Sequence, residues 1–116
     1  MFYMGIDLGK RRDHTAIAIV ERQDSRMAYL APACGRLLLR YAERVALGTP
    51  YPEVVERVRQ MVRHENLQGQ CAVAVDATGV GEPVVDMLRR GQLGCEVSAV
   101  NTNDDGKRRQ AADGRG

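Results

Sequence analysis

Aromatic residues are scarce in this sequence, which contains no tryptophan, one phenylalanine and four tyrosines. Proteins dedicated to single-stranded nucleic acid stack the bases on aromatic side chains, so this scarcity argues against that class. Cysteine is also sparse: Cys34, Cys71 and Cys95 are odd in number and form no C-x-x-C motif. A disulfide framework and a zinc site are therefore not expected, and we predict that the cysteines act as small apolar residues.

Long apolar runs are missing as well. No stretch of the sequence approaches the roughly 20 apolar residues of a membrane-spanning helix. The N-terminal stretch "MFYMGIDLGK" has no basic region before its apolar residues, and its apolar run is too short for a signal peptide. We therefore expect a cytoplasmic protein with no membrane partner, and its 116 residues predict one domain.

Charge is nearly balanced, with a formal net charge of +2, but the basic residues are clustered. The clusters comprise Lys10, Arg11 and Arg12, then Arg89 and Arg90, and finally Lys107, Arg108 and Arg109. Such clusters permit binding to a polyanion such as nucleic acid. Basic side chains in solvated loops explain each cluster equally well.

The pattern of apolar residues predicts seven elements in the order β-β-β-α-β-α-β. Strands are predicted over residues 3–8 and 15–21, with a third within 26–47, where partly helical structure is the alternative. Helices are predicted from Pro52 and from Pro83, because proline suits the first helical position, and strands over 71–76 and 95–100. Residues 101–116 are polar and glycine-rich, which predicts a mobile tail.

These elements predict an α/β fold over residues 1–100. Three strands that pair as a meander, followed by two right-handed helical crossovers, give a mixed five-stranded sheet. The predicted strand order is 3-2-1-4-5, with strand 2 antiparallel to its neighbours and helices packed on the sheet.

Two aspartates end the first and fourth predicted strands, which are neighbours in this order. Residues two positions apart in a strand lie on the same face, so Asp7 shares a face with Gly5, and Asp76 shares one with Ala74. Each aspartate is thus on the face that carries small residues. Both carboxylates are therefore expected on one face, on strands about 4.8 Å apart. Two carboxylates this close require a shared proton or a cation, and Mg²⁺ or Mn²⁺ suits their oxygen atoms.

The chemistry of such a site would be phosphodiester cleavage. Two metal ions about 4 Å apart activate a water molecule and stabilise the leaving oxygen, and this normally requires at least one more carboxylate. An aspartate before a glycine-rich turn is equally able to cap that turn. The turn itself, with Gly79 and Gly81, is either a phosphate-binding nest or a sharp reversal from strand to helix.

Two stretches, "GIDLGKRRDHTAIAIVE" and "VAVDATGVGEPVVDMLRR", give the sequence a family resemblance. The chain resembles, over about residues 3 to 100, the ribonuclease H-like nuclease domain of phage terminase large subunits and their prophage relatives. The resemblance implies a ribonuclease H-like fold and metal-dependent cleavage of DNA. Asp7 and Asp76 match the first two metal-binding and catalytic positions of that family, which imply a two-metal Mg²⁺ or Mn²⁺ site.

The sequence departs from that family in two ways. The third carboxylate of the family lies after the fifth strand, near a final helix, where this chain offers only Asp104, Asp105 and Asp113 in a segment without helical periodicity. A domain without that helix is expected to hold metal weakly and to cut slowly or not at all. The sequence also contains no P-loop, so DNA packaging would require a separate ATPase, with a portal-type protein as a further candidate partner.

The DNA-binding candidates are the first and last basic clusters together with Gly79 and Gly81. Three alternative functions stay open. A Holliday-junction resolvase would share the fold and differ in its DNA substrate. An actin-like or sugar-kinase ATPase fragment would share the strand order and the "GIDLG" hairpin, although that class needs a second domain. A catalytically silent remnant would bind DNA or a partner without cleavage.

Overall fold

A computed structural model describes residues 1–9, 13–23, 35–78 and 82–100 of the protein. The elements within these residues are, in chain order, β1 (Phe2–Asp7), β2 (Ala16–Gln23), β3 (Arg36–Arg44), α1 (Tyr51–Val62), β4 (Cys71–Asp76), α2 (Glu82–Arg90) and β5 (Val97–Val100). The predicted order of elements is confirmed, including a strand rather than a helix before α1. The expectation of a mobile tail over 101–116 falls outside the described residues.

The five strands form one mixed sheet in the order β3-β2-β1-β4-β5, as predicted. The strand β1 runs antiparallel to β2 and parallel to β4, β2 runs antiparallel to β3, and β4 runs parallel to β5. Adjacent antiparallel strands need only short turns, whereas each parallel return requires a crossover, which α1 and α2 provide. The fold is therefore α/β with an open mixed sheet.

The hydrophobic core lies on one face of this sheet. Alternate residues of the central strands, such as Met4, Ile6 and Val75, are at most 2 % exposed. They form a single cluster with the apolar faces of both helices, represented by Val58 of α1 and Leu88 of α2. Because strand residues alternate between faces, the intervening residues point away from the helices.

The other face of the sheet is covered by no element of the described chain. Small residues such as Gly5, Ala16 and Ala74 are exposed there, and a Cβ atom added to Gly5 would meet no described atom within 4 Å. Parallel strands are usually buried on both faces. We call this exposed side of the sheet the open face.

The pairing of β2 with β3 contains a bulge. Ile19 lies opposite Tyr41 and Val20 lies opposite Leu39, which leaves Arg40 as an extra residue on β3. Arg40 donates a hydrogen bond of 2.8 Å from Nε to Oε1 of Glu21. The bulge therefore shifts the alternation of β3 by one residue. Leu37 and Leu39 before it lie on the same face of the sheet as Ala42 and Arg44 after it.

The helices are short. The helix α1 begins at Tyr51, one residue before the predicted start, with Pro50 as the N-cap residue and Pro52 within the first turn. Proline is tolerated there because the first N–H groups of a helix have no partner within it. Neither α1 nor α2, the helices of the described residues, has the length and apolarity that crossing a membrane requires.

Candidate functional site

The two aspartates singled out by the sequence lie side by side. Asp7 is the last residue of β1, Asp76 is the last residue of β4, and the two are Cα partners in the parallel register of these strands. Both belong to the open face, as do Gly5 and Ala74, which are also partners. The predicted juxtaposition of the two carboxylate-bearing residues is confirmed, while their roles in metal binding and catalysis stay predictions.

Backbone hydrogen bonds fix the chain where the two strands end. The N–H of Leu8 donates to the carbonyl oxygen of Asp76 over 3.1 Å, which extends the parallel ladder past Asp7. The next residue, Gly9, donates its N–H to Oγ1 of the buried Thr15 over 3.0 Å and accepts the Tyr51 hydroxyl on its carbonyl oxygen over 2.7 Å. Asp7 is therefore held on a segment tied to both β4 and α1.

Glycine is required at position 9 for steric reasons. A Cβ atom at this position would lie 2.2 Å from the carbonyl oxygen of Asp13 and 2.6 Å from backbone atoms of His14. The returning chain thus passes directly against Gly9. His14 is itself anchored, because its Nδ1 lies 2.9 Å from the carbonyl oxygen of Val45.

Asp76 caps the turn that follows it. Its Oδ1 atom accepts hydrogen bonds from the N–H of Thr78 over 3.1 Å and from the Thr78 hydroxyl over 2.6 Å. This is the side-chain capping that an aspartate before a turn predicts. Both bonds orient the carboxyl group, and they make Thr78 a residue that positions Asp76.

The open face beside the aspartates forms a shallow depression of about 670 Å³. Its floor contains the small residues Gly5, Ala18 and Ala74, while Asp7 and Asp76 lie along one side. Arg44, on the same face, is the Cα partner of Ala16, which is in turn the partner of Asp7. Arg44 is thus two strands from Asp7, about 10 Å at the usual strand spacing.

The aspartate pair places two acidic residues side by side on the open face, and Arg44 is a basic residue of the same depression. Two carboxylates on adjacent strands repel each other, and a cation bound between them removes that repulsion. Oxygen donors on two adjacent carboxylates match the preference of Mg²⁺ and Mn²⁺ for hard ligands. Asp7 and Asp76 therefore fit a divalent metal ion, with Asp7 the more exposed of the two.

Clear pKa shifts are found at one glutamate of β3 and at two cysteines. Hydrogen bonds from Arg57 lower the pKa of Glu43, which lies on the helix-facing side of β3. Burial raises the pKa of the Cys71 thiol to about 11 and raises that of Cys95. Both cysteines are free thiols, and Cys71 lies in the core, as predicted for a small apolar residue.

Many of the predicted site residues lie outside the described part of the chain. These are Lys10, Arg11, Arg12, Gly79, Gly81, Asp104, Asp105, Lys107, Arg108, Arg109 and Asp113. Within the described residues, no group of three His, Cys, Asp or Glu side chains is arranged to hold a metal ion. The candidate site is thus defined by Asp7 and Asp76, and the third carboxylate stays a prediction.

Sequence reasoning missed three residues at the site. Thr78 had a local signal, since a hydroxyl residue two positions after an aspartate favours a turn bond. Arg44 had none, because its face depends on the bulge at Arg40. Tyr51 contacts a residue 42 positions away, and such a hydrogen bond is not encoded in local periodicity.

Comparisons of the sequence with protein-family models and with curated proteins found no match.

Proposed function

We propose that this chain is a nuclease domain of ribonuclease H-like fold that hydrolyses DNA phosphodiester bonds with Mg²⁺ or Mn²⁺. The observation that carries the proposal is the register of β1 and β4, which makes Asp7 and Asp76 direct Cα partners on one face. Two carboxylates on adjacent strands are suited to bind a cation that they share. The resemblance to terminase nuclease domains supports the same assignment.

The chain's own residues would each have a distinct task. Asp7, exposed at the end of β1, and Asp76, oriented by Thr78, would hold the metal. A bound divalent metal ion would supply an activated water and Lewis-acid stabilisation of the leaving oxygen. Gly5, which has no side chain, and Ala74, with its single methyl group, leave room above the sheet for a DNA backbone to approach.

Arg44 offers a phosphate contact on the same face. An arginine fork binds phosphate oxygens well, and most hydrogen bonds between proteins and DNA go to the backbone rather than to the bases. With Arg44 on β3 and the carboxylates on β1 and β4, a strand of DNA crossing the sheet would meet a phosphate-binding group and the metal in turn.

A second candidate function is DNA binding without cleavage. The described residues bring two carboxylates, Asp7 and Asp76, to this edge of the sheet, whereas nuclease chemistry of this kind normally requires a third. In this alternative the same face would bind the DNA backbone, and Asp7 would be dispensable.

A plasmid assay separates the two functions. The protein is incubated with supercoiled plasmid in Mn²⁺ or in EDTA, alongside Asp7→Asn, Asp76→Asn and the control Asp86→Asn, whose aspartate lies on α2. The nuclease proposal predicts Mn²⁺-dependent nicking that both site variants abolish and the control retains. An intact plasmid that the protein nevertheless retards in a gel would select binding without cleavage, and cleavage by Asp7→Asn would refute the assigned site.

A further inference from the structure

The strand β3 forms one edge of the sheet and carries exposed apolar residues. In the described chain it pairs with β2 on one side and with no strand on the other. Leu37 and Leu39 on this edge are 69 % and 67 % exposed. A long apolar edge strand with free backbone groups is a template for pairing with another strand.

The bulge restricts which strand can pair there. On the Arg36 side of the bulge, Leu37 and Leu39 belong to the open face, as the partners of Arg22 and Val20. On the other side it is Ala42 and Arg44 that belong to that face, as the partners of Ala18 and Ala16. In a regular strand, side chains alternate between the two faces without interruption, and paired residues must point to the same face. A regular partner strand could therefore pair correctly with the part of β3 before the bulge or with the part after it, but not with both.

We propose that β3 pairs with β3 of a second copy of this chain, in antiparallel orientation about a twofold axis. Only a strand with the same bulge, placed opposite the first, keeps both halves in register. The register that achieves this places Leu37 opposite Arg44 of the second copy, Leu38 opposite Glu43, and Leu39 opposite Ala42. Arg40 then lies opposite Tyr41, and because the axis is twofold each pair occurs twice.

The two pairs nearest the axis in this register bring complementary side chains together. Leu39 and Ala42 form two apolar pairs on the open face, and both residues are exposed in the single chain. On the helix-facing side, the Arg40 guanidinium meets the Tyr41 ring of the other copy, which permits a cation–π contact. The charge of Arg40 is already balanced by Glu21, whose Oε1 lies 2.7 Å from its Nη2, so the two arginines near the axis do not oppose dimerisation.

The resulting dimer would contain one continuous ten-stranded sheet. Both open faces would lie on the same side of it, because a twofold axis perpendicular to a sheet preserves its faces. The proposal does not depend on the assigned activity: it rests on β3 alone, which lies two strands away from β1.

Sedimentation equilibrium tests the dimer directly. At concentrations from about 10 μM to about 500 μM, which span the dissociation constants of weak and moderate interfaces, the mass is expected to rise from the 12.8 kDa of one chain toward twice that value. Leu39→Lys should shift the midpoint at least about tenfold higher in concentration. Leu47→Lys, which removes an exposed leucine outside β3, should leave it unchanged.

Cysteine cross-linking tests the register. In a background with Cys34, Cys71 and Cys95 replaced by alanine and its fold checked by circular dichroism, Leu39→Cys with Ala42→Cys should give a disulfide-linked dimer on mild oxidation. Leu37→Cys with Ala42→Cys, which is out of register, should give much less. A single-chain mass at every concentration, an unchanged midpoint in Leu39→Lys, or equal cross-linking of the two cysteine pairs would overturn the proposal.

Discussion

Replacing Asp7 by asparagine is expected to change the stability of the protein in opposite directions with and without metal. In EDTA, the variant removes the repulsion between two carboxylates on paired residues of β1 and β4. Coulomb's law gives about 0.7 kcal/mol for two charges about 6 Å apart at the dielectric constant of water, which suits the exposed Asp7. The variant should therefore be more stable than the natural protein by about that amount, and less so as salt screens the charges.

Metal should reverse this order. Ligand binding to the folded state stabilises it by about 2.7 kcal/mol when the free ligand is at about 100 times its dissociation constant. The natural protein should gain this stabilisation from Mn²⁺, whereas Asp7→Asn, with one carboxylate of the pair removed, should gain much less. In saturating Mn²⁺ the variant should thus be the less stable protein by about 2 kcal/mol, the difference between the two effects.

Thermal denaturation followed by circular dichroism measures both effects. A change of 1 kcal/mol corresponds to roughly 3 to 6 °C in the melting temperature of a domain of this size. In EDTA, Asp7→Asn should therefore melt about 3 °C above the natural protein, and in saturating Mn²⁺ it should melt below it by a larger margin. Asp86→Asn is the matched control and should respond to Mn²⁺ as the natural protein does. A variant that is destabilised in EDTA, or that gains as much from Mn²⁺ as the natural protein, would refute the shared cation.

Three further predictions concern the scaffold. Arg57→Met should lower the free energy of unfolding by about 1 kcal/mol at neutral pH, the upper range for an exposed ion pair. Because the pKa of Glu43 is lowered in the fold, this difference should shrink as pH falls from about 5 through that pKa. Urea denaturation at several pH values measures the difference. Burial raises the pKa of Cys71 to about 11, so the stability that its neutral thiol gives should be lost as pH rises from about 9 to 11. In the same assay, Cys71→Ala should lose less stability over that range than the natural protein does. Gly9→Ala should destabilise the protein by about 2 kcal/mol or more because its Cβ meets backbone atoms, whereas Gly5→Ala on the open face should change the stability by less than about 1 kcal/mol; equal effects of the two substitutions would contradict the described packing.

The sheet and the aspartate pair were predictable because both follow from periodicity. Alternation of small and bulky residues in β1 and β4 assigns Asp7 and Asp76 to one face, and the right-handed crossover rule makes those strands neighbours. Together these two rules are sufficient to place two residues from distant parts of the chain in one pair. The ends of strands and helices shifted by one or two residues, since hydrogen bonding rather than side-chain type sets them.

The surroundings of the pair were not predictable in the same way. The face occupied by Arg44 depends on one extra residue in β3, and a bulge there has no distinct signal in "RLLLRYAER". The hydrogen bonds that anchor Gly9 come from Thr15 and Tyr51, of which the latter is brought close only by the packing of α1. Such contacts are a product of the assembled fold, and local sequence patterns do not encode them.

Titration of Mn²⁺ followed by electron paramagnetic resonance tests the central claim most directly, because the sharp signal of free Mn²⁺ is lost on binding. The shared-cation site predicts that the natural protein and Asp86→Asn bind Mn²⁺ alike, while Asp7→Asn and Asp76→Asn each weaken binding at least about tenfold. The amide introduced by Asp76→Asn would still offer an oxygen acceptor to Thr78, so a loss of binding in that variant reports the charge rather than the turn. Absence of bound Mn²⁺ in the natural protein, or undiminished binding in either site variant, would contradict the claim.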